Sequence, residues 1–306
     1  AEVEACINST KSPEGSTLYV TLEPCCIEGK TPPCTDYLIQ NGIRTVYVGS
    51  LDPNPKVNGN GVDILKSAGI EVVIGILKQE CEELNKGYIK WQRSKKPWVI
   101  VKIAESMDGF ISKDSNSQTF ITEEEALSHS HKLRSSVDAI LVGRQTAMVD
   151  NPRLTVRKVR GPNPTRVILD TNRVLPLDLN IFTDKDAKTI VICSNERFTN
   201  TRVSHREYLV CNEDTNGLLD TSMILEILGS IGITTLLIEG GAKTISSFIK
   251  NDLVDEVYLY TSQIKEINGI LKTPIDLDDG WDIFDRLILG NDNLAIARKK
   301  DLCLQE

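Results

Sequence analysis

Residues 21–34 read Thr-Leu-Glu-Pro-Cys-Cys-Ile-Glu-Gly-Lys-Thr-Pro-Pro-Cys, and no other stretch constrains the fold as tightly. Cys25 and Cys34 each stand directly behind a proline. Proline locks φ and removes a backbone donor, so both thiols are presented from stiffened backbone. Residues 18–22 upstream (Leu-Tyr-Val-Thr-Leu) have the composition of a short buried strand. Pro32 and Pro33 suit the entry to a helix over 34–40, stopped by Asn41-Gly42. Two thiolates held this way are two of the three protein ligands of a catalytic zinc. The alternative is a pair of small buried apolar side chains, a common state for free cysteine.

The rest of the chain alternates short strands with helices. Helices are expected over 1–10, 34–40, 62–67 and 77–91, and strands over 18–22, 45–48 and 70–74. Residues 92–97 (Gln-Arg-Ser-Lys-Lys-Pro) read as a linker, which divides the chain into 1–93 and 94–306. A chain of 306 residues is long enough for two such domains, each with its own core. Beyond the linker, strands are expected over 98–103, 139–142, 166–169, 189–192, 208–210 and 235–238, with strand-like pieces at 256–260 and 294–298. A helix over 123–133 follows Thr122 as its cap, and another over 242–250 follows Glu239-Gly240-Gly241. This alternation predicts an α/β fold with largely parallel sheets.

Composition narrows the partners. A net charge of −8 counts against a nucleic-acid or membrane-surface binder, because phosphate backbones need a basic footprint. No apolar run reaches the length of a membrane span, and the acidic start is not a signal peptide. The eight cysteines show no disulfide-framework spacing, so reduced thiols in the cytoplasm are expected. The chain opens without Met and inside a motif, so a fragment is the expectation.

That motif is Ala1-Glu2-Val3-Glu4-Ala5 ahead of Pro24-Cys25 and Cys34, which is similar to the zinc deaminase pattern of His-x-Glu, then Pro-Cys, then a second Cys. In that pattern Glu2 is the catalytic proton shuttle between zinc-bound water and the leaving amine. Cys25 and Cys34 are the zinc ligands, and the third, a His, is expected just before Ala1. The three histidines of the chain, His129, His131 and His205, all fall in the other domain. Cys6 lies one turn from Glu2 but reads better as a helix-core residue, and Cys26 is expected to point elsewhere.

Several separate blocks extend the likeness over nearly the whole chain. Glu23-Pro24-Cys25, Gly29-Lys30-Thr31-Pro32-Pro33-Cys34 and Asp52-Pro53-Asn54-Pro55 lie in the first half. Residues 101–109 (Val-Lys-Ile-Ala-Glu-Ser-Met-Asp-Gly), 150–157 (Asp-Asn-Pro-Arg-Leu-Thr-Val-Arg) and Ile238-Glu239-Gly240-Gly241 lie in the second. Together they resemble the bifunctional riboflavin-biosynthesis deaminase–reductases. The resemblance implies a cytidine-deaminase-like α/β/α domain lacking its N-terminal strands and zinc His, then a dihydrofolate-reductase-like α/β domain. It implies zinc-dependent deamination of 2,5-diamino-6-ribosylamino-4(3H)-pyrimidinone 5′-phosphate, followed by NADPH-dependent reduction of the ribosyl group to ribityl. The implied partners are Zn2+, NADPH and a small phosphorylated pyrimidine, with a homo-oligomer as the expected assembly. The alternative is a reductase alone, with the first domain a non-catalytic scaffold. A nucleic-acid base deaminase is disfavoured, since no basic–aromatic tract is present.

Position by position, the resemblance places Ala104, Phe120, Thr146, Asp150, Thr171 and the run Gly241, Ala242, Lys243, Thr244, Ile245, Ser246 and Ser247 at NADPH. It places Gln118, Arg134, Leu154, Arg157 and Glu239 at the reductase substrate, and Lys30, Asp52 and Asn54 at the deaminase substrate. Two departures stand out: Cys26-Ile27-Glu28 replaces a stretch where relatives often carry Ser-His, and Phe120 replaces a common Trp, losing the indole donor. Read from chemistry alone, no Gly-x-Gly-x-x-Gly follows a strand, so a standard Rossmann site is not indicated. Gly240-Gly241 before a helix lets an anion reach free backbone N–H groups, although such a turn is usually only a turn. Arg134 and Arg157 suit bidentate phosphate contacts, the alternative being a solvated helix face and a loop charge. Lys102 and Asp108 are open between structural and catalytic roles.

Overall fold

The computed structural model describes residues 1–29, 32–114, 119–198 and 205–300. The chain divides into two compact units, Ala1–Lys95 and Lys96–Glu306.

In the first unit, α1 (Glu2–Ile7) precedes β1 (Thr17–Leu22), α2 (Cys34–Gln40), β2 (Thr45–Ser50), α3 (Asn60–Ser67), β3 (Glu71–Ile74), α4 (Lys78–Leu84) and α5 (Lys86–Ser94). The strands form a parallel sheet in the order β1-β2-β3, with Leu18 opposite Val46 and Val46 opposite Val72. Leu38 of α2 and Leu65 of α3 close with Val46, Val48, Ile43 and Ile70 into its core. The helix expected over 77–91 is broken in two at Asn85. Its side-chain amide donates to the Cys81 carbonyl at 2.8 Å, the local competition with the backbone that makes Asn a poor helix-interior residue.

In the second unit the elements run β4 (Trp98–Glu105), β5 (Phe110–Ser112), α6 (Glu124–Ser135), β6 (Ala139–Gly143), α7 (Arg144–Asp150), β7 (Thr165–Leu169) and α8 (Asn180–Thr183). They continue with β8 (Thr189–Cys193), β9 (Arg206–Val210), α9 (Thr221–Ser230), β10 (Thr235–Gly240) and α10 (Ala242–Lys250). The unit ends with β11 (Glu256–Ser262), β12 (Leu271–Lys272), β13 (Trp281–Leu289) and β14 (Asp292–Lys299). Nine strands form one sheet in the order β13-β14-β11-β4-β10-β6-β7-β8-β9. From β11 to β9 every pairing is parallel, while the β13–β14 hairpin adds an antiparallel edge.

Period-two alternation sorts β4 between two cores. Val99, Val101 and Ile103 pack with Ile224, Leu225 and Leu228 of α9 and with Ile245 and Phe248 of α10. Trp98 and Ile100 face the opposite side, with Leu133 of α6, Ile140 and Leu237. Phe248 is fully buried, so Phe248→Ala is worth about 3–5 kcal/mol.

Helix α6 starts differently from expectation. Thr122 is not its cap; Glu123 holds that position with no capping side chain of its own. Instead Asp292, at the start of β14, accepts the Glu123 N–H at 2.7 Å, so the hairpin supplies the missing acceptor. Helix α9 is an addition to the expected elements: it buries Thr221, Ile224, Leu225, Leu228 and Gly229 along one face, and Asp220 caps it by accepting from Ser222 and Met223 N–H.

The late strand β10 enters between β4 and β6, which are earlier neighbours in the chain. The carboxyl ends of β4, β10, β6 and β7 therefore open on one edge of the sheet. That edge is where open parallel sheets bind ligands.

Candidate functional site

Register builds the site at this edge. Val101 pairs with Ile238, and both point into the core below α9 and α10. The next residues, Lys102 and Glu239, therefore point together to the other face, under α6. Arg134 of α6 meets Glu239 there: its Nε donates to Oε1 and its Nη2 to Oε2, both at 2.7 Å. The two side chains are only 15% and 6% exposed. Burial pushes the Glu239 carboxyl up, but Arg134 and then Lys102 outweigh it and hold it below the usual carboxylate range.

Lys102 has no hydrogen-bond partner among the described residues. Its ammonium lies 5.4 Å from the centre of the Tyr260 ring. Burial lowers its pKa and Arg134 adds to this, with Glu239 opposing. His131, two residues from His129 on α6, accepts the Arg157 N–H on Nδ1 at 3.0 Å. Burial, then Arg134 and Arg157, pushes its pKa down to about 4, so it is a neutral imidazole acceptor. The exposed Arg157 guanidinium donates to the Thr155 hydroxyl at 2.8 Å.

Beside this charged cluster the backbone is bare. A Cβ on Gly240 would stand 2.7 Å from Thr146 Cγ2, and one on Gly143 would stand 2.4 Å from Thr244 Oγ1. Gly241, at φ +79°, is the N-cap of α10 and offers no capping side chain, so the first N–H groups of that helix are left for an anion. Thr146 of α7 and Thr244 of α10 thus flank a turn shaped for close backbone approach.

In the first unit, Cys25 Sγ and Cys34 Sγ lie 3.1 Å apart, and Cys34 Sγ donates to Glu2 Oε2 at 3.3 Å. Burial, with Cys25 and Glu2 nearby, pushes the Cys34 thiol up to about 12. Cys6 packs partly buried against the sheet core, and the Cys26 thiol is 3.8 Å from the Lys56 carbonyl. Among the described residues no group of three or more His, Cys, Asp or Glu side chains is arranged to hold a metal ion. The buried Glu23 carboxylate accepts three backbone N–H groups, from Asp52 (3.2 Å), Gly59 (2.9 Å) and Val62 (3.0 Å). It ties the 52–62 loop to the strand end that presents Cys25. Asp52 accepts from the Tyr88 hydroxyl and from Asn54 N–H, and Asn54 accepts from Lys56 N–H. Lys30 lies outside the described residues.

Residues 97–263 match the family described as the RibD C-terminal domain. The chain belongs to the RibD family. It is 37% identical over 280 residues to the riboflavin biosynthesis protein RibD of Actinobacillus pleuropneumoniae, covering 90% of this chain and 74% of the relative. It is also 37% identical to RibD of Aquifex aeolicus, over 85% of this chain and 72% of that one. The crystal structure of a diaminohydroxyphosphoribosylaminopyrimidine deaminase/5-amino-6-(5-phosphoribosylamino)uracil reductase from Thermotoga maritima superposes with a TM-score of 0.83 at 33% identity, covering 98% of this chain and 85% of that one. This is a RibD-type enzyme of riboflavin biosynthesis with the family's reductase domain. No helix among the described residues is long and apolar enough to cross a membrane.

Within this RibD chain, the structure brings Arg134 and Glu239 into direct contact, while Gly241 and Thr244 flank Thr146. Other expected residues fall differently. Ile245 is in the hydrophobic core and its N–H bonds the Gly241 carbonyl within the helix. Leu154 is 3% exposed and packs in the core at φ +55°, a left-handed conformation that strains a branched side chain. Ala104 packs beside Tyr260 and Ala126, and Phe120 is 71% exposed. Asp150 is half-buried with burial raising its carboxyl, and the Thr171 carbonyl accepts Ser194 N–H. Gln118 lies outside the described residues. Asp108 accepts N–H groups from Ile267 and Asn268 and a hydroxyl from Ser106, so it clamps a turn. His131 was the residue the sequence reading missed; its spacing of three from Arg134 on one helix face was the available signal.

Proposed function

We propose that the second unit reduces 5-amino-6-(5-phosphoribosylamino)uracil to its ribityl form with NADPH. The reading is carried by the Lys102–Glu239–Arg134 cluster standing beside the bare Gly240-Gly241 turn. The turn fits the cofactor's phosphates, with the amino end of α10, Thr146 and Thr244 as the holding groups. NADPH supplies a hydride when bound. The chain's own part is placement and proton handling. Arg157 takes the substrate phosphate, and Glu239, kept ionised by Arg134, accepts from the pyrimidine amino groups on its remaining lone pairs. Lys102, a half-desolvated ammonium without a protein acceptor, donates toward the sugar as its ring opens and C1 is reduced. NADPH oxidation by this chain in the presence of the ribosylaminouracil phosphate tests the reading; a folded protein that gives no turnover overturns it.

The first unit fits a deaminase site in part. Among the described residues Cys25 and Cys34 supply two thiolates, and Glu2 a carboxylate within reach of them, toward the three ligands that a catalytic zinc takes. The alternative reading has this unit as a scaffold and the chain working as a reductase alone. Zinc content of the purified chain and of Cys34→Ser separates the two. Retention of zinc that Cys34→Ser abolishes, with reduction spared, supports the deaminase site; equal zinc in both supports the scaffold.

A further inference from the structure

Of the three histidines, two are occupied structurally. His131 holds the Arg157 backbone, and His205 bonds the Phe182 carbonyl at 2.9 Å. His129 is different. It lies on α6 one turn beyond Ala126, which packs on Tyr260, Leu294 and Ile296, so the same helix face carries it over β11. Its Nδ1 is 2.8 Å from the Tyr260 hydroxyl, with the rings edge to face at 5.9 Å.

Tyr260 is fully buried in an apolar cluster, where a phenol needs a hydrogen-bond partner, and His129 is that partner. The face of the same ring carries the Lys102 ammonium at 5.4 Å. Lys102 sits on a flexible four-carbon stem and has no hydrogen-bond partner among the described residues. The oxygens of its neighbour Glu239 are gripped by Arg134. The position of the ammonium is therefore set by the wall it leans on and by attraction to a carboxylate already held elsewhere.

We propose that His129 is a positioning residue of the reductase site: through the Tyr260 hydroxyl it fixes the ring that supports Lys102, and thereby places the Lys102 ammonium beside Glu239. The inference rests on the reductase reading above for its effect on turnover, but its structural part stands separately. A small misplacement of a group aimed at the reacting sugar costs rate far more than affinity.

The test compares His129→Leu, His129→Gln, Tyr260→Phe and the Leu/Phe double variant with the unaltered chain. Two quantities are read: NADPH oxidation, and the rate at which Lys102 is acylated by acetic anhydride, followed by peptide mass spectrometry. His129→Leu and Tyr260→Phe are each expected to lower kcat about tenfold with both KM values nearly unchanged. The double variant falls no further, because the two residues act as one unit. His129→Gln, whose amide both donates and accepts, recovers most of the loss. Lys102 acylation is expected to quicken severalfold in His129→Leu and Tyr260→Phe and to return toward the original rate in His129→Gln. Unchanged acylation, or single losses that multiply in the double variant, overturns the inference. If the unaltered chain does not oxidise NADPH, the reductase reading fails, and acylation alone still decides the placement of Lys102. Should His129→Leu not fold, Tyr260→Phe carries the same comparison.

Discussion

Arg134 on α6 grips both carboxylate oxygens of Glu239 on β10, each at 2.7 Å, across 105 residues of sequence. The guanidinium is thereby paired with a protein carboxylate through its Nε and Nη2. Two cations, Arg134 and Lys102, stand around one acid, a local surplus of positive charge.

Removing one member of this pair strands the other. Both side chains are largely out of water, so Arg134→Ala is expected to cost about 3–5 kcal/mol. A chain of two units need not unfold in one step, so hydrogen exchange at the β10 amides is the appropriate readout. Arg134→Met with Glu239→Leu should regain most of that protection without regaining turnover. Because the folded Glu239 pKa is depressed, its contribution is complete above the ordinary carboxylate range and is lost as pH falls through the lower folded value. Exchange protection that survives Arg134→Ala unchanged would show the pair to be energetically idle.

His131 sets a second pH dependence, in a different window. Its pKa falls from 6.5 to about 4 on folding, so the unfolded chain binds the proton more readily. Stability is complete above pH 6.5 and declines as the pH drops toward 4, by up to about 3 kcal/mol. An NMR titration should find the His131 ring neutral at pH 5.5. A midpoint near the ordinary histidine value would refute the assignment. His131→Gln, which still accepts the Arg157 N–H, is expected to flatten this part of the stability profile.

Much of this was legible in the sequence, for identifiable reasons. Strong local signals, Pro-Pro-Cys and Gly-Gly before a helix, mark helices α2 and α10 at the expected residues, Cys34–Gln40 and Ala242–Lys250. Strand β13 was missed because its residues are exposed on both faces and show no clean alternation. The cap of α6 was misplaced because its acceptor, Asp292, lies 169 residues away and no local pattern reports it. The same limit applies to the site. Glu239 and Arg134 were readable as residues but not as each other's partner, and Lys102 acquired meaning only once the β4–β10 register put it beside Glu239.

Arg157 makes contacts through both its backbone and its side chain. Its backbone N–H serves His131, while its guanidinium is exposed and bonds only Thr155 among the described residues. Arg157→Ala should therefore leave the fold intact and raise the substrate KM by about tenfold or more, as expected for one charge-assisted phosphate contact. NADPH affinity should scarcely move. Equal losses for both ligands would place Arg157 outside the substrate site.

Gly240 tests the cofactor turn. A methyl group there meets Thr146 Cγ2 at 2.7 Å, too close to stand without displacement. Gly240→Ala is expected to cost about 1–3 kcal/mol in overpacking and to weaken NADPH binding roughly tenfold, measured by fluorescence titration. Adding Thr146→Ser removes the offending methyl and should restore part of the affinity. Restoration of nothing would mean that Thr146 is not what the new methyl disturbs.

Glu23 is the corresponding test in the first unit. Its carboxylate is 3% exposed and takes the N–H groups of Asp52, Gly59 and Val62, of which the Asp52 and Val62 bonds are buried and the Gly59 bond is part-buried. The close approach is confirmed by Gly61, where a Cβ would stand 2.3 Å from the Pro24 carbonyl. Removing the carboxylate leaves three donors without their acceptor, two of them buried. Glu23→Ala should cost on the order of 3–5 kcal/mol, since each unsatisfied donor is worth about 1–3. Glu23→Gln keeps the shape but turns one acceptor into a donor facing an N–H, and should recover only part. Hydrogen exchange at the amides of Asp52, Gly59 and Val62 reads the effect directly, with protection falling about a hundredfold or more in Glu23→Ala. The loop that carries Asp52 would then loosen from the strand end presenting Cys25, and modification of the Cys25 thiol should accelerate in step with exchange. Exchange that quickens while Cys25 stays shielded would separate loop anchoring from presentation of the thiol pair.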